Sequence, residues 1–137
     1  MDRTGALCGQ CLINDKKCVI PPRPARKDSE RPIAVVVDEP RRTDRLMHDD
    51  TWAVLCNAMK VAGIAPADIR IVPAVGCYAS GGTASASRFR RRSLVGSGVK
   101  LQSPTLSCYP GLVNDLSGVS GIIGLGTRAI QALRGVG

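Results

Sequence analysis

The sequence predicts an α/β domain in which a short parallel sheet is covered by helices on both faces. Three observations carry this. Ile33-Ala34-Val35-Val36-Val37 is an unbroken, largely β-branched apolar run, as expected of a strand buried on both sides. Trp52, Leu55, Cys56 and Met59 stand at i, i+3, i+4 and i+7, one stripe of an amphipathic helix. Strand and helix patterns then alternate, which implies right-handed crossovers and parallel pairing. With 137 residues, 44% of them hydrophobic and 22% charged, the chain is one globular domain rather than a disordered segment. At that length about two-thirds of the unfolded surface is buried, so the fold does not need disulfides.

Residues 1–32 carry three cysteines and the run Pro21-Pro22-Arg23-Pro24, an irregular arm in which prolines remove backbone donors. The first strand, 33–37, ends on the carboxylates Asp38 and Glu39. Asp49, Asp50 or Thr51 caps the following helix, and Gly63 stops it. Ile69 to Val75 is the second strand, with hydrogen bonding expected to end near Pro73. Gly76 to Ser103, rich in Gly, Ser, Ala and Arg, reads as a long loop. A helix over Pro104 to Leu116 turns Leu112, Val113 and Leu116 inward, and Ser120 to Leu125 is the third strand. Thr127 caps a final helix whose apolar side is Ala129, Ile130 and Leu133. The domain thus divides into an arm (1–32) and an α/β body (33–137) with a basic loop at 78–103. Sheets of this type hold ligands beyond the carboxyl ends of their strands.

Net charge is +8, and its distribution is uneven. Residues 1–50 hold 10 basic and 9 acidic groups, residues 51–100 hold 7 and 1, and residues 101–137 hold 2 and 1. The excess gathers in Arg88-Phe89-Arg90-Arg91-Arg92 and Lys100, a footprint suited to a phosphate backbone, with Phe89 placed to stack on an unpaired base. The polar start of the chain predicts no secretory signal, and its apolar runs fall far short of the roughly 18 residues a membrane helix needs. The expectation is a soluble intracellular protein, of cytoplasm or nucleoid, with no membrane partner.

The six cysteines are Cys8, Cys11, Cys18, Cys56, Cys77 and Cys108. Cys8-x-x-Cys11 has the spacing at which two thiolates share a metal. It precedes every predicted element, whereas a redox pair follows a strand and opens a helix. Cys77 ends a strand and Cys108 opens a helix, so these two complete a candidate set of four, which suits zinc or an iron–sulfur cluster. Gly124-x-Gly126-x-x-Ala129 sits between strand and helix as a dinucleotide fingerprint would. With eight residues after Ala129 there is no second strand and no acidic residue about 20 positions on, so a tight strand-to-helix turn is the better reading.

With these elements placed, the chain resembles the iron–sulfur uracil-DNA glycosylases of the family-4 type and their family-5 relatives. The likeness runs from Cys8-Gly-Gln-Cys11 through Ala34–Pro40, Ala62-Gly63-Ile64, Ile71–Cys77 and Cys108-Tyr-Pro-Gly-Leu112 to Leu125-Gly126-Thr-Arg-Ala129. It implies a three-layer α/β/α fold and a [4Fe–4S] cluster on Cys8, Cys11, Cys77 and Cys108, with Cys18 and Cys56 as bystanders. The departures fall on the catalytic parts. Asp38-Glu39-Pro40-Arg41 replaces a glycine-bearing loop, Pro73 stands where the family has an asparagine, and the last strand with its histidine loop would begin after Gly135. The resemblance therefore implies a cluster-bearing, non-catalytic module that binds DNA, single strands included, or a replication or repair protein that completes the open sheet edge. An active glycosylase with a rearranged site using Asp38, Glu39 or His48 is the alternative, and a metal-stabilised structural subunit is a third.

Overall fold

The computed structural model describes residues 3–13, 18–42, 45–79 and 81–135, although not the side chain of Cys18. Along the chain run a 3-10 turn at Cys8–Gln10, β1 (Cys18–Val19), β2 (Ile33–Val37), α1 (Asp49–Val61), a second 3-10 turn at Pro66–Asp68, β3 (Ile69–Pro73), β4 (Cys77–Tyr78), α2 (Thr83–Leu94), α3 (Pro104–Asp115), β5 (Gly121–Leu125) and α4 (Thr127–Arg134).

β2 is the middle of a three-stranded parallel sheet of order β3-β2-β5, with Val35 opposite Ile71 on one side and Ile123 on the other. Successive side chains of a strand point to opposite faces, and β2 divides accordingly. Val35 and Val37 join Ile69, Ile71, Leu55 and Met59 in a core beneath α1. Ala34 and Val36 join Val72, Leu112, Leu116, Ala129 and Ala132 beneath α3 and α4. The sheet is therefore sandwiched, as the continuous apolar run predicts.

Pro73 closes β3 opposite Val37 without ending the ladder. Ala74 N–H donates to Val37 O at 2.8 Å and Val75 N–H to Asp38 O at 3.0 Å. Proline is tolerated because β3 is an edge strand of this sheet. The outer side of that edge is not bare. Arg23 and Ile71 exchange two backbone hydrogen bonds of 2.9 Å, so the N-terminal arm seals it. Among the described residues β5 pairs only with β2, and Ile122 on it is 42% exposed.

Four expectations change. The stretch read as a loop at 78–103 contains α2, a helix of 12 residues, and is preceded by β4, which pairs antiparallel with β1. The arm is likewise structured where β1 forms. Val113 and Ile130, expected inside, are 44% and 45% exposed, and Ala132 takes the buried place on α4. His48, rather than Asp49, Asp50 or Thr51, is the N-cap residue of α1, and its side chain makes no capping bond.

Arg3 anchors the arm from within. Its side chain is 5% exposed and bridges Asp115 at 2.9 Å, while its guanidinium donates to Ala74 O at 3.2 Å. Gly76 and Gly111 leave the space it fills, since a Cβ at either would lie about 3 Å from the Arg3 side chain.

Candidate metal centre and basic helix

The 3-10 turn at Cys8–Gln10 folds Cys11 back over Cys8, whose carbonyl accepts from Cys11 N–H at 3.2 Å. The turn is then stitched to the approach of α3. Leu12 N–H donates to Gln102 O at 3.1 Å, Gln102 N–H to Gln10 O at 2.8 Å, and Leu7 N–H to Ser107 O at 2.8 Å. Ser103 caps α3, and Cys108 lies in its second turn. β4 brings Cys77 to the same region, so Cys11, Cys77 and Cys108 share one buried cluster with Ile13 and Val75. The four thiols expected as ligands are between 3 and 7% exposed. Together with the half-buried Cys56 they are free of disulfides. Cys18, the expected bystander, has its side chain outside the described residues.

Burial pushes the Cys11 thiol up from its ordinary value. A backbone hydrogen bond with Ile13 opposes that, Cys108 raises it further, the Ser107 hydroxyl lowers it and Cys8 raises it. A thiol raised by burial in this way is a weak nucleophile at neutral pH. In donor type and number the set fits zinc or an iron–sulfur cluster. As they stand, no three Cys, His, Asp or Glu side chains among the described residues are close enough to hold a metal ion. The fit is one of donor chemistry and location alone.

α2 begins where Gly81 and Gly82, at φ of +80° and +94°, turn the chain. Its inner face is small or polar until its last residue: Thr83, Ala86, Ser87 and Arg90 are buried or half-buried, as is Leu94 at the end. Its outer face carries Arg88 and Arg92, one turn apart, beside Phe89, which is 66% exposed. Arg91 and Lys100 flank a shallow groove of about 410 Å³ floored by Leu12, Leu94 and Leu101. Arg90 alone of the predicted basic set turns inward. No acidic residue occurs between Arg70 and Asn114, so nothing in the local sequence neutralises this face.

The candidate catalytic residues diverge. Asp38 Oδ1 accepts from Ala129 N–H at 2.8 Å, at the start of α4. Glu39 Oε2 accepts from Thr83 N–H at 3.0 Å, at the start of α2. Both carboxylates thus satisfy orphan donors at helix N-termini, where the dipole favours them. The turn that resembled a dinucleotide fingerprint is filled by this arrangement: Gly126, at φ +105°, passes so close to the Asp38 carboxylate that a side chain there would collide with it. Asp38 and the exposed His48 line one cavity of about 190 Å³ beyond the carboxyl ends of β2 and β5. Glu39 lines another of similar size with Tyr78, Gly81 and Gly82, and Arg41 borders both.

Sequence reasoning missed the capping roles and Arg3, since their partners are 44 to 112 residues away along the chain. Among the described residues no helix is long and apolar enough to cross a membrane. No protein family, curated protein or solved structure matches this chain.

Proposed function

We propose that the chain is a non-catalytic nucleic-acid-binding module of glycosylase-like fold, with its N-terminal arm held by a metal centre on Cys8, Cys11, Cys77 and Cys108. The observation that carries the binding role is the outer face of α2, where Arg88, Phe89 and Arg92 stand together with Arg91 and Lys100 nearby and no acidic residue in the surrounding sequence. Such a face holds a phosphate backbone without reading sequence, and an exposed phenylalanine among arginines favours unpaired bases. A metal on the four thiolates, as a [4Fe–4S] cluster or as zinc, would supply a cross-link between arm, β4 and α3. On this reading the sheet is part of a glycosylase-like fold, and β5 is the edge at which a replication or repair protein would add a strand.

Binding of a labelled single strand, followed by anisotropy across a salt series, tests the role. Four cations on single-stranded DNA give a log–log slope of about −3. Changing Arg88, Arg91, Arg92 and Lys100 to alanine flattens it and weakens all sequences alike. No binding at low salt overturns the proposal. Iron and zinc content after anaerobic preparation tests the centre, since protein free of both metals would remove the cross-link from the reading.

The second reading, a glycosylase with a rearranged site, draws on Asp38 and His48 sharing one cavity. Against it stand the engagement of both carboxylates as caps and the absence of a side-chain donor at Pro73. Excision requires hydrogen bonds to the edge of the extruded base and stabilisation of the departing anion. Abasic product from a uracil-containing single strand, lost in the Asp38→Asn, Glu39→Gln double variant, would establish that activity instead.

A further inference from the structure

A further concavity lies between the N-terminal arm and the start of α1. Its volume is about 510 Å³, more than twice that of either cavity beside Asp38 and Glu39. The size falls in the range of small-molecule sites. The floor is apolar and belongs to the core: Ile20, Leu46 and Ile71 line the cavity although each is no more than 8% exposed. Trp52 forms a wall.

The charges are at the rim. The Arg23 guanidinium lies 4.2 Å from the centre of the Trp52 ring and has no carboxylate within ion-pair distance among the described residues. At that distance the indole face holds the cation, which keeps N–H donors for an acceptor. Arg45 also lines the cavity and bridges Asp49 at 3.2 Å. Among the described residues that line it, the cavity thus carries two guanidiniums and one carboxylate.

We propose that this cavity binds a carboxylate carried on an apolar body, the body on the Ile20, Leu46 and Ile71 floor against Trp52 and the carboxylate at Arg23 and Arg45. Asp49 at the same rim opposes a dianionic phosphate more strongly than a monoanion. Planar carboxylates also take two parallel N–H bonds from one guanidinium. The same chemistry is offered by a free small acid and by the last residue of a peptide with an apolar side chain. The site is independent of the nucleic-acid face on α2.

Trp52 is the sole tryptophan of the chain, so its fluorescence reports on this cavity alone. The test titrates the whole protein with 4-phenylbutyrate, with 4-phenylbutanol as the uncharged match and acetate as the bodiless match, and repeats each titration by calorimetry. The carboxylate is expected to saturate at least tenfold more tightly than the alcohol, with no response to acetate. Arg23→Gln and Arg45→Gln each weaken phenylbutyrate about tenfold and leave phenylbutanol unchanged. A peptide ending in phenylalanine, compared with its C-terminal amide, separates the two sources: tighter binding than phenylbutyrate, lost on amidation, assigns a chain end, and equal binding assigns the free acid. Equal affinity for acid and alcohol overturns the proposal. So does absence of saturation by about 10 mM in both readouts, which would put the free energy of binding weaker than roughly −3 kcal/mol. The acid–alcohol comparison uses the unaltered protein, so a variant that fails to fold does not remove the test.

Discussion

Arg3 shows how much one side chain near the start of the chain holds in place. It joins Asp115 and Ala74 across the buried seam left by Gly76 and Gly111. Truncation leaves Asp115, still partly solvated, without its cation. Arg3→Ala is expected to destabilise the fold by about 2 to 3 kcal/mol, below the full range for a buried pair because water reaches the acid. Chemical denaturation would read this as a lower midpoint with the slope unchanged. The same scale decides the fate of Asp38. Gly126→Ala drives a methyl into its carboxylate at a positive φ, while Asp38→Asn keeps the shape and loses the charge at the α4 terminus. The first should cost about 1 to 3 kcal/mol and the second about 1 kcal/mol or less. If Asp38→Asn proves the more damaging, the carboxylate does more than cap α4.

Among elements, α2 separates what was legible from what was not. β2, β3 and β5 announce themselves through β-branched runs, and α1 through its stripe, because each buries apolar side chains with a clear period. α2 buries Thr83, Ala86, Ser87 and Arg90, which leaves no apolar period to find. A signal was present all the same: Gly82 and Gly96 bracket a stretch free of Gly and Pro, and arginines gather in its last turns, where the dipole favours them. β1 and β4, at two residues each, lie below the length at which alternation can be read. Spacing and strand and helix ends singled out Cys8, Cys11, Cys77 and Cys108, of which Cys11, Cys77 and Cys108 share one buried cluster. The capping duties of Asp38 and Glu39 were not legible, since nothing local distinguishes a catalytic carboxylate from a cap. The helical form of α2 sharpens one expectation. Arg88→Ala and Arg92→Ala, on the outer face, should each reduce the salt slope of DNA binding by roughly 0.7 without changing stability. Arg90→Ala should leave the slope nearly unchanged and lower the thermal midpoint.

For the whole molecule, the attachment of the arm to the body decides how the fold comes apart. Hydrogen bonds tie it to β3 through Arg23 and to the approach of α3 through Leu12 and Gln102. Cys8 and Cys11 lie on the arm's first turn, Cys77 on β4 and Cys108 on α3. On the proposed reading, a metal there closes a loop from Cys11 to Cys108, and loops that long gain most from closure. Chelation is then expected to expose the arm to protease before the sheet: cleavage within residues 1–32 should accelerate at least tenfold while a fragment containing β2, β3 and β5 persists. Serine at Cys8, Cys11, Cys77 or Cys108 should reproduce that pattern, and serine at Cys56 should not. Identical digestion with and without chelator would show that the hydrogen bonds alone secure the arm.

The two rims of the sheet have unequal fates in concentrated solution. The outer rim of β3 is closed by Arg23, while β5 offers Gly121–Leu125 with no charged or proline residue to blunt it. A chain with both rims open could polymerise indefinitely. A chain with one rim open can satisfy it a single time, so stacking through β5 ends at two copies and a six-stranded sheet, with no growing end left over. Sedimentation at rising concentration should therefore pass from monomer to dimer and stop there, and Ile122→Lys should hold the protein monomeric. Fibres from the intact protein would mean that the arm lets go of β3 more readily than its hydrogen bonds indicate.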